Sequence, residues 1–276
     1  MQEYFEGFAK IKSLGKFASV TLPIYKSSQY NKWKNRGSKL CLSIKIFKKN
    51  FQLTWDWERD PSPAGEKVVG LDQGLKTVVT LSDGQSTPNQ CPHGHSLESV
   101  IDKLARKKKD SKGFKKAQTH RKNFTHWSIN QLNFSGLKEV RLEKVVNIRK
   151  GRSCSRKMSH WSNPEIRDKI KRRCEELEVP VIEQSCAYRS QRCNACGIVR
   201  KANRKGKFYT CKGCKWECDA DLNAALNHES DLPDIPFSLL GKKLNLGDGF
   251  LWKSDGIFRL DGSELIVPVD QKNNFQ

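Results

Sequence analysis

The chain of 276 residues contains 51 Lys and Arg against 30 Asp and Glu, which gives a formal net charge of +21. A positive field of this size suits a polyanionic partner, most commonly nucleic acid, with a ribosomal-type or merely soluble basic protein as the alternative. The length allows one sizeable core and one or two small modules. No apolar run approaches the about 20 residues of a membrane span, so the composition predicts no membrane partner.

The N-terminal part of the chain has the residue types of β-structure. Over residues 17–57, β-branched and aromatic residues partly alternate with polar ones, which predicts strands in FASVTLPIY, LCLSIKIF and NFQLTWDW. The stretch KNRGSKL between two of these runs is a predicted basic loop. The prolines and the glycine of ERDPSPAGEK, residues 58–67, predict a linker and the first domain boundary.

Beyond this linker, predicted strands and helices alternate, which indicates a mixed α/β fold. VVGLD and KTVVTLS, residues 68–72 and 76–82, predict a hairpin, and residues 97–132 are polar and helical in character. LKEVRLEKVVNI predicts a further strand that ends near Glu143. Asn163 is the predicted N-cap of the helix that follows, and VPVIE is the last predicted strand of this part.

Lys and Arg are concentrated in residues 103–122 and in the predicted loop at 149–157. Such runs are usually solvated surface, and in a chain of this net charge a phosphate-facing helix is the competing interpretation. Contacts with phosphates would weaken steeply with salt, because binding releases counterions.

Two CxxC pairs separated by fourteen residues have the spacing of a tetrahedral zinc site. Each pair presents two thiolates to one ion, and a short hairpin between them brings the pairs together. The alternatives are disulfides or free thiols. A site of four thiolates leaves no open position for a substrate, so the predicted zinc is structural. The predicted ligands are Cys193, Cys196, Cys211 and Cys214.

The remaining cysteines predict the compartment. Six of the ten are scattered, which favours a reducing, cytoplasmic environment over a disulfide scaffold. The N-terminus lacks the order of a secretory signal. The segment CPHGH offers Cys91, His93 and His95 as a second metal site, although loop residues of this kind usually have no such role.

Two acidic residues end predicted apolar strands, and a third stands at the start of a predicted helix. Asp72 ends one predicted strand and Glu143 ends another, and a buried charge there is costly unless it is paired or metal-bound. Asp221 precedes LNAAL, where an N-cap is the simplest role for it and for Asp219. If the acids converge, they suit a two-metal phosphodiesterase centre that holds Mg²⁺ or Mn²⁺.

These residues resemble the three RuvC motifs and the zinc ribbon of the TnpB (OrfB) family, transposon-encoded RNA-guided DNA nucleases related to type V CRISPR effectors. The likeness rests on VVGLDQGLKTVVTLSDG, on the acid of VRLEKVV and on YRSQRCNACG with YTCKGCKWECDADLNAALN. It covers about residues 17–228. The resemblance implies an RNase H-like fold, catalytic metal-binding roles for Asp72, Glu143 and Asp221, and zinc binding by the four paired cysteines.

The same resemblance implies a domain organisation. Residues 1–62 would be part of a wedge-type β-barrel that grips guide RNA, and the zinc ribbon would be inserted into the nuclease core. The family's helical recognition lobe is not found in this sequence, and Arg189 stands where a threonine is usual. The implied parts are the partial wedge at 1–62, the RuvC-like core at 63–188 and 218–230, the zinc ribbon at 189–217, and a C-terminal extension of unassigned role at 231–276.

The leading hypothesis is a Mg²⁺-dependent, RNA-guided DNA endonuclease whose partners are guide RNA and target DNA. The alternative is a non-cleaving RNA-guided regulator, or a subunit that works with a second chain or as a homodimer, because the lobe that helps read DNA is missing. A structural RNA-binding protein is a third hypothesis, and the three acids in order argue against it.

Overall fold

The computed structural model describes residues 7–12, 19–24, 27–47, 51–58, 65–145, 155–235 and 249–264. The chain divides into two compact units, Met1–Ser62 and Pro63–Gln276. In the part of the chain that is described, no helix has both the length and the apolar character needed to cross a membrane.

The first unit contains two antiparallel hairpins and one helix. β1 pairs with β2 and β3 pairs with β4, as two separate two-stranded sheets. The strands predicted in FASVTLPIY, LCLSIKIF and NFQLTWDW are confirmed. No strand pairing among the described residues joins the two hairpins into the predicted barrel. The elements are β1 (Gly7–Lys12), β2 (Ser19–Ile24), α1 (Ser28–Asn35), β3 (Lys39–Ile46) and β4 (Phe51–Asp56).

The prediction of continuous β-structure over residues 17–57 is wrong at α1. The Ser27 hydroxyl caps this helix by accepting from the Tyr30 amide at 3.3 Å, and Gly37 follows the helix with a φ of +74°. Tyr30 packs edge-on against Trp55 of β4, with ring centroids 5.1 Å apart. Aromatic residues that favour strands in isolation here attach a helix to a neighbouring strand.

The second unit contains ten strands and five helices among its described residues. In chain order they are β5 (Lys67–Gln73), β6 (Val79–Leu81), α2 (Leu97–Ala105), α3 (Lys112–Asn130), β7 (Leu137–Lys144), α4 (Arg156–Ser159), α5 (Asn163–Glu175), β8 (Val181–Ser185), β9 (Ile198–Val199), β10 (Arg204–Lys205), β11 (Phe208–Thr210), β12 (Glu217–Asp219), α6 (Ala220–Glu229), β13 (Phe250–Lys253) and β14 (Gly256–Phe258).

A four-stranded sheet in the order β6-β5-β7-β8 is the centre of this unit. β5 and β6 form the predicted antiparallel hairpin, whereas β5, β7 and β8 run parallel. Parallel strands require crossover connections. Here α2 and α3 connect β5 with β7, and α5 connects β7 with β8. The mixed α/β prediction is therefore confirmed.

The core lies between this sheet and the helices. β5 is buried through most of its length, as expected for a parallel strand covered by other elements, and β7 buries Val140 and Leu142. Ile166 and Ile170 on one face of α5 are both fully buried against it. The largest core cluster includes Val69, Leu71, Val140 and Leu142 of the sheet with Ile101, Phe124, Ile129, Ile166 and Ile170 of the helices.

The beginning of α5 differs from the prediction. Asn163 is the first helical residue, and Ser162 occupies the N-cap position without a side-chain capping bond. The Asn163 amide instead donates to the Val145 carbonyl at 2.8 Å, just beyond β7. Because Asn163 is buried, satisfying that carbonyl takes the place of capping its own helix.

Two small sheets follow the central one. β10, β11 and β12 form one of them, and β9 pairs with β13 of the β13–β14 hairpin in the other. No structure was predicted for residues 249–258 from the sequence, so this pairing is a new finding. The segment SELIVPV, residues 263–269, has the residue types of a strand and falls mostly outside the described residues, which end at Glu264 in this region.

Candidate metal centres

Asp72 lies on β5, the central strand that pairs with both β6 and β7, and only 8% of its surface is exposed. Two residues before it, Gly70 faces α6 at close range. A Cβ atom on Gly70 would come within 2.1 Å of the Ala225 carbonyl oxygen, so only glycine allows the helix to approach this strand so closely. This contact brings the N-terminal turn of α6 towards Asp72.

Glu143 lies on β7, which runs parallel to β5. Leu71 of β5 pairs with Leu142 of β7, so the residues that follow them, Asp72 and Glu143, reach the same end of the sheet. Gln73 connects the two strands there. Its backbone amide donates to Glu143 Oε2 at 3.4 Å, and its side-chain amide donates to the Glu143 carbonyl at 2.9 Å.

Asp221 lies in the first turn of α6, and Asp219 is the N-cap. Asp219 Oδ1 accepts from the backbone amides of Asp221 and Leu222 at 2.8 and 3.1 Å. Because Asp219 satisfies these amides, the Asp221 carboxylate is available to the pocket, where only 4% of the residue is exposed. The simplest role considered for Asp221, that of N-cap, therefore belongs to Asp219.

The three acids line one pocket of about 370 Å³. Burial raises the pKa of Asp72 well above its usual range, with further contributions from the charges of Glu143 and Asp221. Burial likewise raises the pKa of Glu143 to about 7. The protein thus holds carboxylates in a place where their ionised forms are costly unless cations accompany them.

Two cations of the protein contact Asp221. Arg204 Nη2 lies 3.0 Å from Oδ1, and Lys207 Nζ contacts Oδ2. Both cations come from the hairpin β10–β11, between the two cysteine pairs. Neither residue was predicted from the sequence. The signal that could have found them is the basic stretch NRKGK inside the predicted ribbon, ahead of the third acid.

The donor set of the pocket fits hard divalent cations. Carboxylate oxygens are the ligands that Mg²⁺ and Mn²⁺ prefer. Gln73 adds a buried Oε1 that has no hydrogen-bond partner among the described residues.

The four paired cysteines do converge on one point. The sulfurs of Cys193 and Cys214 lie 3.7 Å apart, and those of Cys196 and Cys211 lie 3.6 Å apart. A tetrahedral ion with Zn–S bonds of about 2.3 Å sets its sulfurs about 3.8 Å apart, so the cluster could hold zinc. The separations are too long for disulfides.

Cys218 and the segment CPHGH lie outside the group of converging ligand atoms. Cys218 stands apart from it, and its thiol contacts the Asp219 carbonyl at 3.2 Å. Cys91, His93 and His95 do not bring their ligand atoms together as the cluster does, within the part of the chain that is described.

A buried polar network attaches the cysteine cluster to α6. Asn227 donates to the carbonyls of Arg189 and Arg192 at 2.9 and 2.8 Å, and Arg192 Nη1 donates back to Asn227 Oδ1 at 2.6 Å. Asn223 also donates to the Arg192 carbonyl, at 2.8 Å. The asparagines after Asp221 therefore fix the chain that leads into Cys193.

Arg189, the residue that departs from the family pattern, is almost fully buried. Its Nε donates to the Ser185 carbonyl at 3.0 Å, and its guanidinium lies 5.1 Å from the ring centre of Trp252 in β13. Burial lowers the pKa of Arg189 to about 10. The C-terminal hairpin thus supplies the aromatic face on which this unusual residue packs.

The basic stretches are only partly available to a partner. Lys103, Arg106 and Lys107–Lys109 are exposed, as are Lys112, Lys115, Lys116 and Lys122. Lys157, by contrast, is 2.6 Å from Glu98 and 3.2 Å from Asp102, and Arg121 is 3.5 Å from Glu165. Residues 149–154 lie outside the described residues.

The fold and the two sites define a mixed α/β protein that carries an acidic pocket beside a four-cysteine cluster. A family model described as Cas12f1-like, TNB domain, matches residues 164–228, which include the four paired cysteines and Asp221. This match covers less than half of the chain.

Individual proteins with similar sequences include two curated nucleases. The CRISPR-associated endodeoxyribonuclease Cas12f1 of Sulfoacidibacillus thermotolerans is 29% identical over 135 residues, covering 49% of this chain and 31% of that protein. The Cas12f1 of Syntrophomonas palmitatica is 24% identical over 178 residues, covering 54% of this chain and 36% of that protein. The chain thus spans about a third of the length of the curated relatives it matches.

Among solved structures, the Cas12f1-sgRNA-target DNA complex superposes with a TM-score of 0.43 at 17% identity, covering 67% of this chain and 55% of that chain. The sequence matches support a relationship with a miniature type V CRISPR effector-like family. They do not confirm the narrower TnpB assignment.

Proposed function

We propose that this chain is the nuclease part of an RNA-guided DNA endonuclease of the TnpB and miniature type V kind. The observation that carries the proposal is the meeting of Asp72, Glu143 and Asp221 in one pocket, although they come from two strands and a helix distant in sequence. The similar curated proteins are named endodeoxyribonucleases, which agrees with a phosphodiester substrate.

In this proposal the pocket has an RNase H-like, RuvC-type arrangement, with parallel strands that carry the first two acids. The three carboxylates would together hold two Mg²⁺ or Mn²⁺ ions. The bound ions would supply an activated water and a positive charge at the leaving 3′-oxygen.

The chain's own residues would prepare the pocket for this chemistry. Asp72 and Glu143 are fixed by the parallel pairing of β5 with β7 and by the two Gln73 hydrogen bonds. Asp221 is oriented by the cap that Asp219 makes on α6. Arg204 adds a positive charge at the edge of the pocket, where the phosphate group of a substrate would approach.

The cysteine cluster would bind one structural zinc ion in this proposal. The strands β10–β12 have little core of their own, and a metal ion is a common substitute for a core in so small a module. The module would position Arg204 and Lys207 against the acids. This is the proposed reason for its place directly ahead of the third acid.

Guide RNA and target DNA are the proposed partners. The net charge of +21 and the exposed lysines and arginines of α2, α3 and the turn between them suit phosphate backbones. In such enzymes base pairing between guide and target reads the sequence, so no base-reading side chain is required of the protein. The role of residues 1–62 would be to hold RNA.

A non-cleaving RNA-guided regulator, or a subunit that acts with a partner chain or as a dimer, is the second candidate. One observation favours it. Both oxygens of Asp221 have protein cations as partners, and these charges partly neutralise the acids of the pocket. A site maintained in this way could retain its shape after losing its chemistry.

The deciding experiment begins with purification of the protein from cells that express its native locus, followed by sequencing of the RNA that accompanies it. A discrete RNA with a variable segment would support guided targeting. A plasmid that matches this segment is then incubated with the complex and Mg²⁺. D231N is the control variant, because the Asp231 side chain is 95% exposed. Cleavage by the parent and by D231N, together with no cleavage by D72N, would support the nuclease.

The same experiment separates the candidates. Target binding without cleavage by the parent would favour the regulator. Cleavage by D72N at the parent's rate would show that Asp72 is not a metal ligand. If only random RNA fragments accompany the protein, guided targeting by this chain alone is wrong.

A further inference from the structure

Lys207 occupies a fixed position beside the acidic pocket. It follows Gly206 in the two-residue turn between β10 and β11, where Gly206 has a φ of +64° that a tight hairpin turn favours. The Lys207 carbonyl accepts from the backbone amide of Ala220 at 2.8 Å. This bond anchors the turn to the start of α6, next to Asp221.

The ammonium group of Lys207 binds two oxygens of the neighbouring elements. Nζ contacts Asp221 Oδ2 and donates to Thr77 Oγ1 at 3.0 Å. Thr77 in turn donates to Asn89 Oδ1 at 3.2 Å, so its hydroxyl is oriented to accept from Lys207. Arg204 meanwhile contacts the other carboxylate oxygen of Asp221. Each carboxylate oxygen keeps a second lone pair, but a divalent ion bound to Asp221 would lie close to these cations, and the charge repulsion favours displacement of one of them.

Lys207 is the cation that can leave. Its four-carbon side chain is flexible and its charge is a point charge, whereas the guanidinium of Arg204 is rigid and its Nε donates to the Gly206 carbonyl at 3.2 Å. The two side chains are almost equally exposed, 34% for Lys207 and 33% for Arg204, so the difference lies in their flexibility and contacts. It lines both the acidic pocket and an adjoining groove of about 670 Å³, so the ammonium can turn towards the groove while the backbone turn stays in place.

We propose that Lys207 is a removable counter-ion of the acidic pocket, and that its ammonium group competes with a divalent cation for Asp221 Oδ2. The inference rests on the proposed metal-binding role of the acids. Without a divalent ion, Lys207 partly neutralises carboxylates that would otherwise repel one another. When the ion binds, Lys207 leaves Asp221 and faces the groove, where a phosphate of the substrate strand would be a new partner.

The first test measures Mn²⁺ binding by isothermal titration with the zinc-loaded full chain as parent, K207Q and K205Q. Lys205 is the matched control. It is exposed on the same hairpin, and it follows Arg204 on β10, where adjacent residues face opposite sides of the strand, so it faces away from the acids that Arg204 contacts. We expect K207Q to bind Mn²⁺ about tenfold more tightly than K205Q, within the usual range of coupling between sites. Equal affinities of the two variants would overturn the proposal.

The second test uses the parent protein and does not depend on a variant that folds. Brief acetylation with a lysine-reactive reagent, followed by mass spectrometry, reports how accessible each amine is. Because coupling is reciprocal, saturating Mn²⁺ should raise the labelling of Lys207 and leave that of Lys205 unchanged. Labelling of Lys207 that does not respond to Mn²⁺ would overturn the proposal.

A D72N control keeps this inference separate from the proposed function. If D72N binds Mn²⁺ as the parent does, the ion is not in the acidic pocket, and both proposals are wrong. If Mn²⁺ binding requires Asp72 but K207Q matches K205Q, the metal site stands and only the role of Lys207 is wrong.

Discussion

Glu143 shows how a single residue couples the pocket to pH. Burial raises its pKa from the ordinary 4.5 to about 7, so the folded protein favours the protonated carboxyl. Because this pKa is higher in the folded than in the unfolded state, the protonation of Glu143 contributes to the free energy of unfolding. The contribution is complete below pH 4.5 and is lost as the pH rises through about 7.

We therefore expect the melting temperature of the metal-free parent to fall, relative to E143Q, as the pH rises from 4.5 to about 7. Added Mg²⁺ should reverse this trend for the parent, because the ion binds the ionised carboxylate and not the protonated one. Differential scanning fluorimetry across that pH range measures both effects. Parallel pH profiles of parent and E143Q would show that Glu143 titrates normally.

The cysteines provide a second prediction at the scale of single residues. Cys214 belongs to the cluster, whereas Cys218 lies four residues later and outside it. C214S should lose bound zinc, and C218S should retain about one ion per chain, because a structural zinc site needs all four of its ligands.

Elemental analysis of the purified proteins measures the zinc directly. C214S should also unfold at a lower temperature, since the metal replaces a core in this module. Equal zinc contents in C214S and the parent would contradict the assignment of the cluster.

At the scale of elements, the contact between β5 and α6 determines whether the acids meet. Gly70 has backbone atoms of α6 on its open side, and a Cβ atom added there would lie 2.2 Å from the Glu229 amide nitrogen. Neither backbone can rotate away as a flexible side chain could. The helix and the strand must separate if any side chain is placed there.

G70A should therefore destabilise the protein by about 1–3 kcal/mol or more, as overpacked sites do, and should weaken divalent-ion binding by moving Asp221 away from Asp72. G113A is the matched control, because its nearest neighbour would be a lysine side-chain atom at 3.7 Å and its position is helical. G113A should be neutral or stabilising by up to about 1 kcal/mol. Chemical denaturation of both variants provides the comparison, and equal stabilities would mean that β5 and α6 are not in close contact.

The C-terminal hairpin, β13 and β14, is bonded to the segment that carries the first cysteine pair. β13 pairs with β9. The Trp252 carbonyl accepts a hydrogen bond from Arg192 Nε at 2.7 Å, and the Trp252 backbone amide donates to the Gly197 carbonyl at 2.9 Å. These bonds hold the first CxxC turn from outside. The hairpin and the buried Arg189 therefore form one structural unit with the cysteine module, which gives part of the unassigned C-terminal extension a role.

At the scale of the whole molecule, charge distinguishes a nucleic-acid partner from a merely solvated surface. Exposed Lys108, Lys109 and Lys112 lie near one another around the turn that joins α2 to α3. If these lysines bind phosphates, replacing all three by glutamine should weaken the salt dependence of nucleic-acid binding. The slope of the logarithm of the binding constant against the logarithm of the salt concentration should become less steep by about 0.9 for each phosphate that is no longer neutralised.

The matched control replaces the same lysines by arginine, which keeps the charge. Fluorescence anisotropy with a labelled duplex at several salt concentrations gives the slopes. If the glutamine variant keeps the parent's slope, these residues are solvated surface, as charge runs of this kind usually are.

The sequence by itself determined the mixed α/β character, the four strands of the central sheet and the cysteine cluster, because these depend on local periodicity and short spacings. It missed α1, where aromatic residues attach a helix to a strand and do not form a strand. It also missed the N-cap arrangement at Asn163, since a distant carbonyl competes for that amide. The functional assignment of Asp72, Glu143 and Asp221 remains a proposal.

Only the tertiary structure decided which acid caps α6 and which faces the pocket, because the spacing of Asp219 and Asp221 allows either. It alone revealed Arg204 and Lys207 as partners of Asp221, and Trp252 as the partner of Arg189. Such contacts join residues brought together by strand pairing and helix packing, and no local pattern encodes them. The chemistry of the pocket follows from residue types, but its geometry follows from the close approach of β5 and α6.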